Sequence, residues 1–215
     1  MSTAASGAGR LLDEREAYGV LDRLGVPRAP SVALDIDAAP PSLPFAYPVV
    51  VKVLAAEISH KSDVGGVALG IIDAAALATA MAAMHARLPR ARRVLVQPMI
   101  PGVGEVLVGY RVDPDAGPLV LLAAGGVYTE IYRDRSLRLA PVDAATASEM
   151  IAEVRALKAL AGYRGKPAGD LDALAQAVVA LSQLACDPSV IEAEVNPLIV
   201  RTDGVVAVDA VVRLV

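Results

Sequence analysis

The stretch Pro48-Val-Val-Val-Lys-Val-Leu-Ala-Ala-Glu-Ile-Ser-His-Lys-Ser-Asp-Val-Gly-Gly-Val-Ala-Leu-Gly-Ile-Ile72 decides how the rest of the chain is read. Pro48–Leu54 is a β-branched run broken by one charge, as in a buried strand, and Val67–Ile72 is a second strand leaving a polar loop, Ser59–Gly66. Lysine is rarely fully buried, so Lys52 either snorkels from a sheet edge or holds an anion. Gly65 and Gly66 close the loop that also carries His60, Lys61 and Ser62. Glycines there let backbone N–H groups approach phosphate oxygens, although a Gly-Gly pair by itself also marks an ordinary hairpin. Neither a Walker A loop running into a helix nor a dinucleotide-binding glycine fingerprint is present. Phosphate binding here would have to come from strands and their hairpin.

Working outward, Leu11–Leu24 has apolar residues near helical spacing and a stop at Gly25 and Pro27, while the prolines of Ala38–Pro44 predict an extended connection. Asp73–Leu88 reads as a helix capped by Asp73, with Leu77, Met81, Met84 and Leu88 in one stripe. Val94–Gln97 is a strand, and Pro98 with Pro101-Gly-Val-Gly104 breaks it. That break divides the chain into lobes at 1–97 and 98–215. In the second part, strands are expected at Glu105–Val112, Pro118–Ala123 and Arg138–Val142, then helices at Ala144–Leu160 and Asp170–Leu184. A hairpin closes the chain, Ile191–Val200 and Val205–Val212 about Asp203-Gly204. Strands and helices in this mixed order indicate α+β layers rather than a doubly wound parallel sheet.

Along the hairpin, Glu192, Glu194 and Asn196 alternate and so share a face, and Asp209 returns on the paired strand beside Asn196. Hard oxygen atoms in that arrangement suit magnesium; polar alternation is also what a solvated strand face shows, and both readings stand at this point. Composition bounds the rest. The chain has 215 residues, 55% hydrophobic but only 3% aromatic, which excludes disorder and points to a core of small aliphatic side chains. A net charge of -4 argues against a nucleic-acid surface. No uncharged apolar run is long enough to span a membrane, and the first ten residues lack the order of a signal peptide. The single cysteine, Cys186, excludes an internal disulfide framework, fits a reducing, cytoplasmic setting and is expected in the core.

Five segments occur in one order: Tyr47-Pro-Val-Val-Val-Lys-Val, Ser59-His-Lys-Ser-Asp-Val-Gly-Gly-Val, Gly125-Gly-Val, Gly162-Tyr-Arg-Gly, and Glu194-Val-Asn-Pro-Leu with Val208-Asp-Ala. Together they resemble the ATP-grasp domain of the ADP-forming acyl-CoA synthetases, the superfamily of succinyl-CoA synthetase. The resemblance implies an ATP-grasp fold of two α+β lobes with the nucleotide between them, and ATP/ADP and Mg2+ as cofactors. It implies Lys52 on the phosphates with Gly65 and Gly66 closing over them, Gln97, Pro98 and Met99 as the hinge bordering adenine, and Glu105 near the ribose. Asn196 and Asp209, with Glu194 alongside, would be the magnesium ligands. His60 would be the catalytic loop histidine that passes phosphate to a histidine of a partner, a CoA-binding subunit or domain. Gly125, Gly126, Glu130, Asp134 and Arg138 match a further family segment, although Arg138 is equally read as pairing an acid across strands. With so few rings, adenine should lie between aliphatic residues, and part of the apolar surplus should form a docking face. Two other functions fit the same residues: a self-contained carboxylate ligase, and a non-catalytic nucleotide-binding regulatory subunit.

Overall fold

The computed structural model describes residues 9–58, 61–125, 134–165 and 167–215. Helix α1, Glu14–Leu24, starts where Asp13 and Glu16 form a reciprocal capping box and stops at Gly25, whose φ of 71° is the left-handed C-cap conformation. It is followed by β1, Val32–Asp35, a short edge strand that the sequence reading does not anticipate. Then come β2, Val49–Val53, β3, Val67–Ile71, helix α2, Ala74–Arg87, and β4, Arg93–Pro98. These four strands form one antiparallel sheet in the order β1-β4-β2-β3.

The second sheet is also antiparallel. It contains β5, Gly104–Asp113, β6, Gly117–Ala124, β7, Arg135–Leu139, and the long β8, Val190–Arg201, with β9, Gly204–Ala207, and β10, Ala210–Leu214. Their order is β10-β8-β5-β6-β7, and β9 pairs with the far end of β8. Two helices, α3, Ala144–Glu153, and α4, Leu171–Ser182, pack against it. Mixed helices and antiparallel sheets are the ATP-grasp arrangement that the motifs imply.

Two apolar cores accompany the two sheets. Behind the smaller sheet, Val49, Val51 and Val53 of β2 meet Leu77, Met81 and Met84 of α2, the stripe read from the sequence. The larger core takes Val106, Val120, Leu122, Val195 and Val212 from the second sheet with Met150, Leu174 and Leu181 from the helices. Helix α1 belongs in sequence to the first 97 residues, yet its buried face, Ala17, Tyr18, Val20 and Leu21, joins this larger core.

Three differences from the sequence reading have physical causes. The final strand is split: Pro197 has no N–H to give the ladder, and the pairing of β8 passes from β9 to β10 across Val208 and Asp209. The helix expected over 144–160 ends at Glu153. Val154 is extended, and the Asp134 carboxylate accepts from the N–H groups of Arg155 and Ala156 at 3.0 and 2.7 Å, starting a 3-10 turn instead. Cys186, expected in the core, is exposed at the end of a 3-10 turn after α4. Exposed apolar residues fall at both sheet edges, Leu69 and Ile72 on and after β3, and Leu137 and Leu139 on β7. No helix among the described residues is long and apolar enough to cross a membrane.

Candidate functional site

Strand β2 shows two chemically opposite faces. Val49, Val51 and Val53 point into the aliphatic core, so the pleat sends Val50 and Lys52 the other way, toward α1 and the second sheet. Lys52 is 5% exposed and β2 lies between β3 and β4, so the snorkelling alternative is excluded. Its ammonium group meets Glu14 Oε1 at 2.7 Å, donates to the Val208 carbonyl, and lies 3.8 Å from Asp209 Oδ2. The β9–β10 break is what turns that carbonyl inward.

The loop after β2 adds a second lysine. Lys61 Nζ sits 2.8 Å from Glu14 Oε2 and 3.0 Å from Asp209 Oδ1. Gly66 donates to the Lys61 carbonyl, and a Cβ on Gly66 would stand 2.6 Å from Val53 Cγ1, so only glycine lets the loop lie this close to β2. Gly65 has φ of 67°, and a side chain there would be strained and would meet Arg87. Serine 59 and His60 lie outside the described residues, as do Gly126 and Glu130.

Glu14 is the residue that the sequence reading missed. It accepts from both lysines and from Tyr18 Oη, the last at 2.9 Å, and its side chain is fully buried. The signal was there in α1: Glu14, Ala17, Tyr18 and Leu21 follow the i, i+3, i+4, i+7 spacing of an apolar stripe, so an acid at its head must be buried and must find cations. Burial raises the Glu14 carboxyl above its ordinary value even though Lys52 and Lys61 pull it down. For Lys61, burial pulls the pKa down but Glu14 and Asp209 outweigh it, leaving the ammonium above its ordinary value. Burial and the neighbouring Glu14 push the Tyr18 phenol well up. Two ammonium groups and two carboxylates thus neutralise each other in one cluster.

Gln97 lies on the same side. It is 2% exposed; its side-chain oxygen lies 2.9 Å from Tyr18 Oη, sharing that single hydroxyl proton with Glu14, and its amide donates to the Val208 carbonyl at 2.8 Å. Beyond it, Pro98 has no N–H, and that of Met99 is given to the Pro48 carbonyl at 3.0 Å. The Met99–Pro48 bond thus extends the pairing of β4 with β2 by one step, and the Gln97 side chain ties that strand to α1 and to Val208. Glu105 is the second residue of β5 and is exposed, and its carbonyl accepts from Gly125.

On the hairpin, Asn196 and Glu194 share the face of β8 opposite buried Ala193 and Val195. The Asn196 side chain donates to Glu194 Oε1 at 3.2 Å, and its N–H donates to the Asp209 carbonyl at 3.3 Å, so Asn196 and Asp209 are neighbours as the Asp-Gly turn implied. Glu192, one step further, is drawn aside by Arg213 at 3.1 Å. Among the described residues no three His, Cys, Asp or Glu side chains form a closed metal cage. Two carboxylates and an amide partly open to solvent are nevertheless the hard, incomplete donor set that magnesium accepts when water and phosphate fill the rest. The donors fit that ion. Arg138 pairs with Glu153 of α3 rather than with an acid across strands, and Asp134 is occupied as the cap described above.

Lys52, Lys61, Glu14, Gln97 and Asp209 therefore converge from α1, the small sheet, its loop and the terminal hairpin. The chain matches the ATP-grasp domain family over residues 3–214. It belongs to that family. A 39% identity over 202 residues relates this ATP-grasp domain to acetate–CoA ligase [ADP-forming] I of Archaeoglobus fulgidus, covering 90% of the chain but only 30% of that enzyme. With the beta subunit of acetate–CoA ligase [ADP-forming] I from Pyrococcus furiosus it shares 36% identity over 216 residues, 96% of the chain and 93% of that subunit. A similar solved structure is the dinucleotide-forming acetyl-coenzyme A synthetase 1 of Ca. Korarchaeum cryptofilum, in complex with coenzyme A and Mg-AMPPCP and with its phosphohistidine segment pointing toward the nucleotide site. The TM-score is 0.83 at 31% identity, covering 96% of this ATP-grasp domain and 93% of that chain.

Proposed function

We propose that this chain is the nucleotide-binding part of an ADP-forming acyl-CoA synthetase, moving phosphate between ATP/ADP and a histidine of a CoA-binding partner subunit or domain. The overall reaction is carboxylic acid, CoA and ATP in exchange with acyl-CoA, ADP and phosphate. The observation that carries this reading is the approach of Lys52, on one sheet, to Asp209, at the strand break beside the other, at 3.8 Å, in a chain whose relatives include a separate beta subunit of such a ligase.

Phosphoryl transfer asks the protein for alignment and charge neutralisation rather than covalent work. Lys52 stabilises the negative charge of the phosphate chain, and the N–H groups at Gly65 and Gly66 close over it. Gln97, Pro98 and Met99 border the base and Glu105 the ribose. Asn196 and Asp209, with Glu194 beside them, hold magnesium, which when bound screens the phosphate oxygens. In the forward direction the bond between the terminal phosphorus of ATP and its bridging oxygen breaks, ADP departs, and the phosphorus bonds an unprotonated imidazole nitrogen of His60; the partner's imidazole then displaces His60, whose nitrogen leaves with the bonding pair. His60 relays the group between this site and that histidine. The lobes divide at residues 97 and 98, with the nucleotide between them.

The test is reconstitution of the chain with a CoA-binding subunit of a related ligase and radiolabelled ATP. Label should appear on the partner's histidine in the presence of magnesium. Lys52→Ala should lower the rate of labelling by roughly 100-fold or more, and His60→Ala should abolish labelling of the partner while nucleotide binding persists. Turnover of carboxylates by the isolated chain would instead identify a self-contained ligase. Full complex activity with Lys52→Ala would identify a non-catalytic regulatory subunit.

A further inference from the structure

Nothing in the reading above gives a role to Glu14 or Lys61, although they are the centre of the buried charge cluster. Glu14 has both carboxylate oxygens committed: Oε1 to Lys52 at 2.7 Å and Oε2 to Lys61 at 2.8 Å. Its carboxylate therefore fixes the separation of the two ammonium groups, because each lysine is tied to a different oxygen of one planar group. The tether crosses the fold. Glu14 stands at the head of a helix packed on the large-sheet core, Lys52 on the small sheet, and Lys61 on the loop that ends in Gly65 and Gly66. Asp209, from the hairpin, meets Lys61 at 3.0 Å and Lys52 at 3.8 Å on the side where the cluster reaches solvent, its own side chain 28% exposed.

We infer that Glu14 is a positioning residue that holds Lys52 and Lys61 as a cationic pair toward the phosphates of the nucleotide, with Lys61 the second phosphate-binding cation. This rests on the reading of Lys52 as the phosphate lysine. Three considerations support it. Lysine carries a flexible four-carbon stem and a point charge, so a strand alone does not aim it; a carboxylate behind it does. A neutral four-charge cluster that opens toward Asp209 becomes cationic on that side whenever Asp209 turns to a metal ion, which suits an incoming polyanion. And the charged carboxylate is kept against opposition, since burial holds the Glu14 carboxyl above its ordinary value despite the two ammonium groups beside it. Buried ionic groups retained on such terms are expected where geometry matters.

The experiment measures Mg·ADP affinity by calorimetry and melting temperature for Glu14→Gln, Lys61→Met, the charge-balanced pair Glu14→Gln/Lys61→Met, and Lys52→Ala as reference. Glu14→Gln and Lys61→Met should each weaken Mg·ADP binding by roughly tenfold or more, the scale of a hydrogen bond to a charged group. If Glu14→Gln folds poorly, the double variant decides, since it leaves one ammonium facing one carboxylate. It should recover melting temperature without recovering affinity. Recovery of both, or affinity within about twofold of the parent in either single variant while Lys52→Ala loses binding, overturns this inference alone. Retention of binding in Lys52→Ala overturns the reading of the phosphate site and the inference with it.

Discussion

Glu14 and Glu153 are both glutamates paired with cations, and their carboxyls shift in opposite directions. Glu153 ends α3 at the surface, where bonds from Arg138 and Ser136 hold its carboxyl below the ordinary value. Its ion pair has side chains 31% and 49% exposed, whereas those of Glu14 and its two lysines are 0–7% exposed. Glu14 faces two ammonium groups instead of one guanidinium and is still raised, because burial costs the charged form more than the lysines return. Counting partners therefore misjudges a carboxylate. What separates the two is water, and with it the number of segments that depend on the contact: two neighbouring elements for Glu153, four distant ones for Glu14.

The most severe way to break this contrast is charge reversal. Glu14→Lys would place three ammonium groups against Asp209 alone. Since losing one partner of a buried pair already costs about 3–5 kcal/mol, this variant should show no cooperative thermal transition by circular dichroism. Glu153→Lys should fold and melt cooperatively, at a lower temperature than the parent. A folded Glu14→Lys protein would mean that the cluster is wetter than its exposure implies.

A smaller effect should appear in stability measured against pH by chemical denaturation. Tyr18 and Lys61 have raised values, so their contributions are complete below the ordinary values of 10.0 and 10.5 and are lost as pH climbs through the raised ones. Tyr18→Phe should flatten the alkaline decline. Glu153 is lowered, so its contribution is present above 4.5 and is lost as pH falls through the lowered value; Glu153→Gln should soften the acid decline. Glu14 has the opposite sign to Glu153: its ionisation lowers stability as pH rises through its raised value above 4.5. Identical acid limbs in the parent and Glu153→Gln would remove the contrast at the surface end.

The least effect is expected from salt. At 1 M ionic strength the screening length is about 3 Å, so a double-mutant cycle on Arg138 and Glu153 should read no coupling beyond error. The same cycle on Glu14 and Lys61 should keep most of its low-salt value, because solvent ions do not reach it. Equal salt sensitivity would place both pairs in the same dielectric.

The two regions also differ in how far the sequence announces them. Lys52 stood out because a lysine in Val-Val-Val-Lys-Val breaks a strand pattern, and the Asp-Gly turn predicted that Asn196 and Asp209 meet. The α2 stripe, the prolines that end β4 and the helix stop at Gly25 are equally local signals. Glu14 was overlooked because its neighbours in the cluster come from three other segments, although the apolar stripe of α1 contained the clue. Lys61 reads as loop and nothing more, since a loop lysine is ordinarily solvated. The break at Val208 depends on Pro197 in the partner strand, and the end of α3 on Asp134, 21 residues before the Arg155 N–H it accepts from. Strand β1 has four residues between proline-rich connections, too few for alternation to register.

The cluster's sequence separation sets the order in which it can be completed. Lys61 and Asp209 are 148 residues apart, and Glu14 lies nearer still to the beginning. During synthesis α1 and the lysine strand leave the ribosome long before the closing hairpin, so the anionic hub exists before its last partner does. A nascent chain that has not yet reached Val208 has the sheet that presents Lys52 but neither the carbonyl nor the carboxylate that completes its surroundings. Completion of the site therefore waits for translation to pass Val208 and Asp209, however early α1 and β2 are made.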